Sequence, residues 1–220
     1  MKVLVIGAHP DDELLGAGGT AAKHALAGDS VVLAILCEGE STRYGSQRRS
    51  VVSDQSRMAA SILGAETIVI RDLPDQRLDT LPISVVAREV ESLVKEHLPN
   101  IVYTHFIGDL NRDHRVIAEA TLIATRPYSA PSVAEVWMFE TPSSTEWGEA
   151  GIPISFTPTM FVDITQTLAK KLDALLCYEA EVRDSPHPRS VYGLTTRAAH
   201  WGSINGTTAA EAFMPVRVLR

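Results

Sequence analysis

A histidine and three acids stand together near the start of the chain, in the stretch AHPDDE (8–13). Adjacent carboxylates repel one another unless a cation or a change in protonation offsets their charge. His9 and Asp12, three residues apart, supply the nitrogen and oxygen ligands that zinc accepts. Capping of the following helix accounts for one of the acids, since a carboxylate accepts hydrogen bonds from the first N–H groups. A metal site, a helix cap and chance surface charge all stay open at this point.

A second candidate stretch, NRDHR (111–115), follows another apolar run and places Asp113 and His114 at the start of a predicted helix. In open α/β sheets, ligands bind outside the carboxyl ends of the strands. We therefore expect His114 to reach the same ion as His9 and Asp12. Two histidines and one carboxylate also suit non-haem iron, so these residues do not choose between Zn²⁺ and Fe²⁺. A structural histidine is the alternative interpretation of His114.

The stretch GAGGTA (16–21) matches a dinucleotide-binding pattern, and Glu38 follows about twenty residues on. A dinucleotide turn needs its first glycine directly after the strand, where the pyrophosphate meets the helix N-terminus. Here Asp11, Asp12 and Glu13 intervene, and their charges would repel that anion. The sequence therefore disfavours a nucleotide-binding module, which is kept only as an alternative.

The elements that must position these residues follow a βαβ pattern. Short apolar runs rich in Val and Ile alternate with segments of helical periodicity, which indicates a mostly parallel sheet covered on both faces. Strands are predicted over 2–8, 30–37, 67–70, 100–105, 134–140 and 160–164, with another at the end of the chain. Helices are predicted over 14–28, 47–63, 82–97, 113–125, 165–182 and 190–203. Thr165 is the expected N-cap of the fifth helix, and 141–159 is a long loop.

The bulk composition indicates the class of protein. A length of 220 residues with 45% hydrophobic content suits a single α/β domain spanning 1–220. The net charge of −7 disfavours a nucleic-acid binder, which needs basic clusters. Cys37 and Cys177 fit no metal or redox spacing and are expected as buried thiols in a reducing compartment. The first apolar run is too short for a signal peptide or a membrane span, so we expect a cytoplasmic protein.

Taken together, these motifs resemble those of the LmbE/PIG-L-like zinc-dependent de-N-acetylases, which remove acyl groups from N-acetylglucosaminyl compounds. The similarity runs through most of the sequence, in AHPDDE (8–13), GESTR (39–43), LPDQRLD (73–79), GDLNRDHR (108–115), and HPRS with AEAF (187–190 and 210–213). It implies a Rossmann-like three-layer sandwich with a mostly parallel central sheet. It also implies zinc-dependent hydrolysis of an amide on a small N-acylated amino sugar or conjugate. Since relatives often self-associate, a homo-oligomer is expected.

The resemblance also implies roles for individual residues. It assigns three zinc ligands, His9, Asp12 and His114. Asp11 is implied to be the general base that takes a proton from the attacking water, and Arg43 to bind the substrate. Asp113 is expected to orient a ligand histidine, as carboxylates commonly do around metals, and it is also placed to cap its helix.

One position departs from the family pattern. Many relatives carry H-x-D-H in the fourth motif, where the first histidine stabilises the oxyanion, and here Asn111 stands in its place. Asparagine donates a hydrogen bond but carries neither a proton nor a positive charge to the substrate. His187 is the candidate for the missing imidazole, with a plain turn histidine as the alternative. Other functional alternatives are an amidase acting on a non-sugar natural product and a metal-binding protein without catalysis.

Overall fold

The computed structural model describes residues 1–37, 49–148 and 154–219. In these ranges the strands are β1 Lys2–Gly7, β2 Ser30–Cys37, β3 Thr67–Leu73, β4 Ile101–His105, β5 Glu135–Phe139, β6 Met160–Asp163 and β7 Ala210–Val218. The helices are α1 Asp12–Leu26, α2 Arg49–Leu63, α3 Ile83–His97, α4 Arg112–Ala124, α5 Thr145–Gly148, α6 Leu168–Leu176 and α7 Val191–Asn205. A short 3-10 helix, Leu78–Thr80, precedes α3. None of the described helices is long and apolar enough to cross a bilayer.

The described strands form a sheet in the order β3-β2-β1-β4-β5-β7-β6. Strands β1 to β5 are parallel, whereas β7 runs antiparallel to both β5 and β6. The strand order reverses between β1 and β4, because the chain leaves β1 towards β2 on one side and later returns to β4 on the other. Ligands bind at such switch points, beyond the carboxyl ends of the strands. The predicted α/β fold with a mostly parallel sheet is confirmed.

Helices cover both faces of the sheet because its central strands are apolar on both. Val3 and Val5 of β1 pack in a cluster with residues of α1, α2 and α6. Leu4 and Ile6 pack in a second cluster with residues of α3 and α4. Successive side chains of a strand point to opposite faces. A strand that is buried on both faces is therefore a continuous apolar run in the sequence, and this is the pattern that predicted the layered architecture.

The predicted helix over 165–182 is wrong at both ends, since α6 is shorter at each. The N-cap of α6 is Thr167 and not Thr165, whose hydroxyl donates to Oδ1 of Asp163 at 2.6 Å. Beyond the C-terminus of α6, the Tyr178 hydroxyl donates to Oε1 of Glu13 at 2.8 Å, in a buried contact with the first motif. These contacts override the helical periodicity of the segment.

Helix α1 is kinked at Ala17, within GAGGTA, where φ is −141° and ψ is 16°. The kink interrupts the helical hydrogen bonding and frees backbone N–H groups. The Glu211 carboxylate accepts hydrogen bonds from the N–H groups of Gly19 (2.9 Å) and Thr20 (2.7 Å). A protein carboxylate thus takes the N–H groups that a phosphate would use at a helix N-terminus. This arrangement argues against the nucleotide-binding alternative.

A buried ion pair behind the kink leads to a stability prediction. Nζ of Lys171 donates to Oε1 of Glu211 at 2.6 Å and to the Leu15 carbonyl at 2.8 Å, and both charged side chains are more than nine-tenths buried. Lys171→Met should lower the free energy of unfolding by about 3–5 kcal/mol, because the buried carboxylate loses its cation. Urea unfolding measures this loss. The control Lys170→Met, on the same helix, should stay within about 0.5 kcal/mol of wild type; a similar result for Lys171→Met would contradict the prediction.

Candidate metal centre

The two polar motifs meet at the switch point of the sheet. Strands β1 and β4 pair in parallel, with Val5 opposite Tyr103, so that their carboxyl ends lie side by side. From β1 the chain passes through His9 into α1, which begins at Asp12. From β4 it passes through a loop into α4, which carries His114 in its first turn. The topology therefore brings together two motifs that are far apart in the sequence.

The three predicted ligands form a compact group. Nδ1 of His9 lies 3.1 Å from Oδ2 of Asp12, and Nε2 of His114 lies 3.2 Å from the same oxygen. The two ring nitrogens are 3.3 Å apart. Ligand atoms that bind zinc at about 2.0–2.1 Å in a tetrahedron are separated by about 3.3–3.4 Å. The triangle is close to one face of such a tetrahedron, so the residues present fit zinc.

The outer nitrogen of His9 faces carboxylates. Nε2 of His9 lies 3.0 Å from Oδ2 of Asp113 and 3.3 Å from Oδ1 of Asp75. Asp113 is itself held by the backbone N–H groups of Gln76 (2.7 Å) and Leu78 (3.0 Å). Because a hydrogen bond to one ring nitrogen fixes which nitrogen is free to bind a metal, this geometry suits the orienting role predicted for Asp113.

Asp109 makes the equivalent contact to the second histidine, and no role was predicted for it. Oδ1 of Asp109 lies 3.0 Å from Nδ1 of His114. Its carboxylate also accepts hydrogen bonds from the hydroxyls of Ser144, in the loop after β5, and Thr145, the first residue of α5. The signal was present in the sequence, because Asp109 lies in the GDLNRDHR motif together with the ligand.

This contact leads to a prediction for metal affinity. Asp109→Asn should weaken zinc binding by about 10–100-fold, because an amide holds the His114 ring less firmly and makes it less basic. Competition with a chromophoric chelator measures the dissociation constant. The control Asp79→Asn removes a half-exposed carboxylate that pairs with Arg112 outside the ligand group. Equal affinity of the two variants would contradict the prediction.

A second group of potential ligands shares His9 with the first. It consists of His9, Cys37 and Asp113. The Cys37 sulfur lies 3.9 Å from Oδ2 of Asp113, and burial raises the pKa of the Cys37 thiol to about 11. The ligand atoms of His9, Asp12 and His114 lie only 3.1–3.3 Å apart, which is closer to the spacing of ligands around zinc. The group formed by His9, Asp12 and His114 is the better candidate.

The charges around His9, Asp12 and His114 favour a bound cation. Burial lowers the pKa of His114, but Asp12 and Asp109 outweigh burial and raise the pKa to about 8. Burial raises the pKa of Asp12, but contact with His114 opposes burial, and the pKa is held well below its usual range. An electrostatic field that favours imidazolium also favours a divalent cation at the same place.

His105 lies under the candidate metal centre without being available as a ligand. Its ring stacks on that of His114 at a centroid distance of 3.9 Å. Nε2 of His105 accepts the backbone N–H of Ala8 at 2.9 Å, and Nδ1 faces the Thr141 hydroxyl at 3.0 Å. Burial lowers the pKa of His105 to about 4, so the ring is neutral. Its contacts join the ends of β1, β4 and β5.

Asp11 lies beside the ligand group but not in it. Its backbone is left-handed, with φ of 98°, and its side chain makes no capping hydrogen bond to α1. Instead, Oδ2 of Asp11 lies 3.1 Å from Nη1 of Arg189. Burial raises the pKa of Asp11 well above its usual range, while Arg189 opposes this change and Asp12 adds to it. Arg189 stands in the HPRS motif, and no role was predicted for it.

A cavity of about 550 Å³ opens beside this group, and His9, Asp11 and Asp12 line it. Asn111 also lines the cavity. Its side-chain oxygen caps α4 by accepting the Asp113 N–H at 2.9 Å, so Asn111 takes the capping role that the sequence offered to Asp113. The predicted substrate-binding residue Arg43 lies outside the described residues.

His187 reaches the same cavity from the turn before α7. Its Nδ1 accepts the backbone N–H of Arg189 at 3.1 Å, and its ring stands edge-on to Trp147 with centroids 6.1 Å apart. Burial, Arg189 and Arg183 lower the pKa of His187. The ring is therefore neutral at pH 7 and carries its proton on Nε2. The structure thus brings His187 to the cavity as a neutral donor.

Fold and site together define a class, the α/β proteins with two histidines and one carboxylate grouped as candidate metal ligands at the switch point of the sheet. Comparison with known protein families identifies the particular family. The family model of PIG-L, described as GlcNAc-PI de-N-acetylase, matches residues 4–125, more than half of the chain. The chain belongs to this family, which confirms the resemblance of its motifs.

Two relatives and one solved structure indicate what this chain is similar to. YaiS, an uncharacterized deacetylase of Escherichia coli K12, is 28% identical over 169 residues, which cover 74% of this chain and 82% of the relative. The diacetylchitobiose deacetylase of Thermococcus kodakarensis is 26% identical over 226 residues, covering 97% and 83%. The crystal structure of GalB, a 4-carboxy-2-hydroxymuconate hydratase of Pseudomonas putida, has a TM-score of 0.77 at 24% identity and covers 100% and 98%. This last similarity shows the fold alone.

Proposed function

We propose that this protein is a zinc-dependent de-N-acetylase that hydrolyses the amide of an N-acetylglucosaminyl-type amino sugar or conjugate. The observation that carries the proposal is the triangle of ligand atoms from His9, Asp12 and His114, with Asp11 held beside it at one cavity. Membership of a de-N-acetylase family supports the reaction. The name of the Thermococcus relative supports an amino-sugar substrate.

In this proposal Asp11 acts as the general base. Its carboxylate takes a proton from water as the water oxygen attacks the carbonyl carbon of the amide. The carbon–nitrogen bond then breaks, and Asp11 returns the proton to the departing amine, so that acetate and a free amine result. When bound by His9, Asp12 and His114, zinc polarises the carbonyl and lowers the pKa of water.

Two neutral side chains donate hydrogen bonds to the carbonyl oxygen, on which negative charge develops during the reaction. The Asn111 side chain uses its oxygen for the helix cap, which leaves its NH₂ group as a donor towards the cavity. His187 offers Nε2–H, because its Nδ1 accepts a backbone N–H. Neither donor carries a charge, so both act by hydrogen bonding.

This assignment leads to a prediction for His187. His187→Ala should lower kcat by about 10²-fold, because the substitution removes one donor to the oxyanion. Steady-state kinetics on the best substrate measure the change. His200→Ala, an exposed histidine on α7, is the control and should keep the wild-type rate. An unchanged kcat in His187→Ala would leave Asn111 as the protein donor.

Acetate release from a panel of compounds tests the proposed function. The panel contains N-acetylglucosamine, diacetylchitobiose, a lipid-linked N-acetylglucosaminyl conjugate, an N-acylated non-sugar natural product and the hydratase substrate of GalB. Bound metal is measured on the same sample. Acetate release from the sugar amides with about one equivalent of zinc supports the proposal. Turnover of only the non-sugar amide, hydration of the GalB substrate, or bound zinc without turnover would each overturn it in favour of another function.

A further inference from the structure

We propose that Arg189 is a positioning residue that holds the Asp11 carboxylate in the cavity and off the metal ligands. The inference rests on the proposed function, because it concerns the side chain that acts there as the general base. Arg189 acts through Asp11 and not on the substrate. It lies in the turn between α6 and α7, far in sequence from both metal-binding motifs.

The contacts of Arg189 join three segments of the chain: the loop after β1, the loop after β5 and the connection between α6 and α7. Nη1 lies 3.1 Å from Oδ2 of Asp11 and 3.5 Å from Oε2 of Glu181, which follows α6. Nε donates to the Ser143 hydroxyl at 2.7 Å, in the loop after β5. The backbone N–H donates to Nδ1 of His187 at 3.1 Å. The guanidinium is planar and its donors are fixed relative to one another, so these contacts fix the direction of the Asp11 carboxylate.

Two of these partners have strained backbones. Asp11 has φ of 98° and Ser143 has φ of 69°, both in the left-handed region, which favours glycine. Such conformations persist only when the surrounding structure over-determines them, and they cluster at functional sites. Arg189 hydrogen-bonds to both side chains. One side chain therefore holds two strained loops that both line the cavity.

The Asp11 carboxylate has to be kept away from the metal position because it is adjacent to a proposed ligand. Asp12 is a proposed ligand, and an adjacent free carboxylate is an equally good zinc ligand by its chemistry. A fourth protein ligand would fill the coordination position that a catalytic zinc site keeps open for water or substrate. In the structure, Asp11 is outside the group of ligand atoms that lie within 4.8 Å of one another. The ion pair with Arg189 supplies the force that keeps it there.

Kinetics of Arg189→Ala and Arg189→Lys test this role. Arg189→Ala should lower kcat by about 10²-fold, because displacing a catalytic group by about 1 Å costs this much. KM should change by less than about threefold, and Arg189→Lys should recover part of the rate. Added guanidinium at millimolar concentration should restore Arg189→Ala but not an Asp11→Asn variant. Arg71→Ala, which breaks an ion pair with Glu89 of α3 away from the residues that line the cavity, is the matched control. A raised KM with unchanged kcat would make Arg189 a substrate-binding residue and overturn the proposal.

A structural measurement tests the proposal without relying on activity. Crystal structures of the zinc-loaded wild type and Arg189→Ala locate the Asp11 carboxylate in each. The proposal requires the carboxylate to leave its position in the variant, towards the metal or into disorder. An unmoved Asp11 would overturn the proposal whatever the kinetics. If the wild type releases no acetate from any sugar amide, the proposed function fails, but the crystal structures still decide the role of Arg189.

Discussion

Replacing Asp11 with asparagine should lower kcat by about 10²–10⁴-fold and leave about one equivalent of zinc bound. The substitution keeps the size and shape of the side chain. The single amide oxygen can still accept the hydrogen bond from Arg189, whose Nη1 lies 3.1 Å from Oδ2 of Asp11 in the native protein. An amide has no basic oxygen that can take a proton from water. Steady-state deacetylation kinetics and the metal content of the same preparation measure the two effects separately.

The neighbouring residue provides the matched control. Asp12→Asn makes the same chemical change one residue later, but Oδ2 of Asp12 faces both His9 and His114. This variant should lose the zinc together with the turnover, because a neutral amide is a poor replacement for an anionic ligand. If Asp11→Asn kept nearly normal turnover, Asp11 would not be the general base. If it lost the zinc, Asp11 would be a ligand.

The central sheet could be predicted from the sequence because each buried strand is marked by its own short apolar run. The strand predicted over 30–37 is the observed β2, Ser30–Cys37, since the apolar run SVVLAILC is buried along almost its whole length. The position of His9 and Asp12 at a strand end followed from the same reasoning. The approach of His114 to His9 and Asp12 was also expected, because ligands bind beyond the carboxyl ends of the strands, but the pairing of β1 with β4 that produces it was not predicted.

Residues that act through long-range contacts were harder to find. Asp109 lies five residues before His114 in the same motif, so its contact with that histidine was within reach of the sequence. Arg189 lies 178 residues from Asp11, and no periodicity or spacing connects the two. Its role depends on how the turn before α7 packs over the loop after β1. Such a contact appears only once the whole chain is folded.

The end of α6 illustrates the same limit. Its apolar periodicity continues beyond Leu176, yet the helix stops there. Tyr178 is buried, and its hydroxyl bonds to Glu13, whose pKa burial raises to about 7. A tyrosine that packs against the first motif cannot also follow the course of a straight helix. The helix therefore ends where this tertiary contact begins, and helix propensity alone does not contain that information.

His114→Ala should abolish turnover and reduce bound zinc from about one equivalent to a small fraction of one, because it removes one of three proposed ligands. The position is almost fully buried. The substitution also leaves the Asp109 carboxylate without its imidazole partner. Metal analysis after dialysis and deacetylation kinetics measure the two losses.

Zinc restoration separates loss of the ligand from loss of the fold. Wild-type protein stripped with a chelator should regain its turnover when zinc is added, whereas His114→Ala should not. Far-UV circular dichroism of both should agree, because α4 keeps its Asn111 cap in the variant. Full zinc occupancy in His114→Ala would place the ion in the other group, with His9, Cys37 and Asp113. In that case the Cys37→Ser variant would lose the metal. If His9, Asp12 and His114 are the ligands, the same variant keeps the metal, because Cys37 is not in that group.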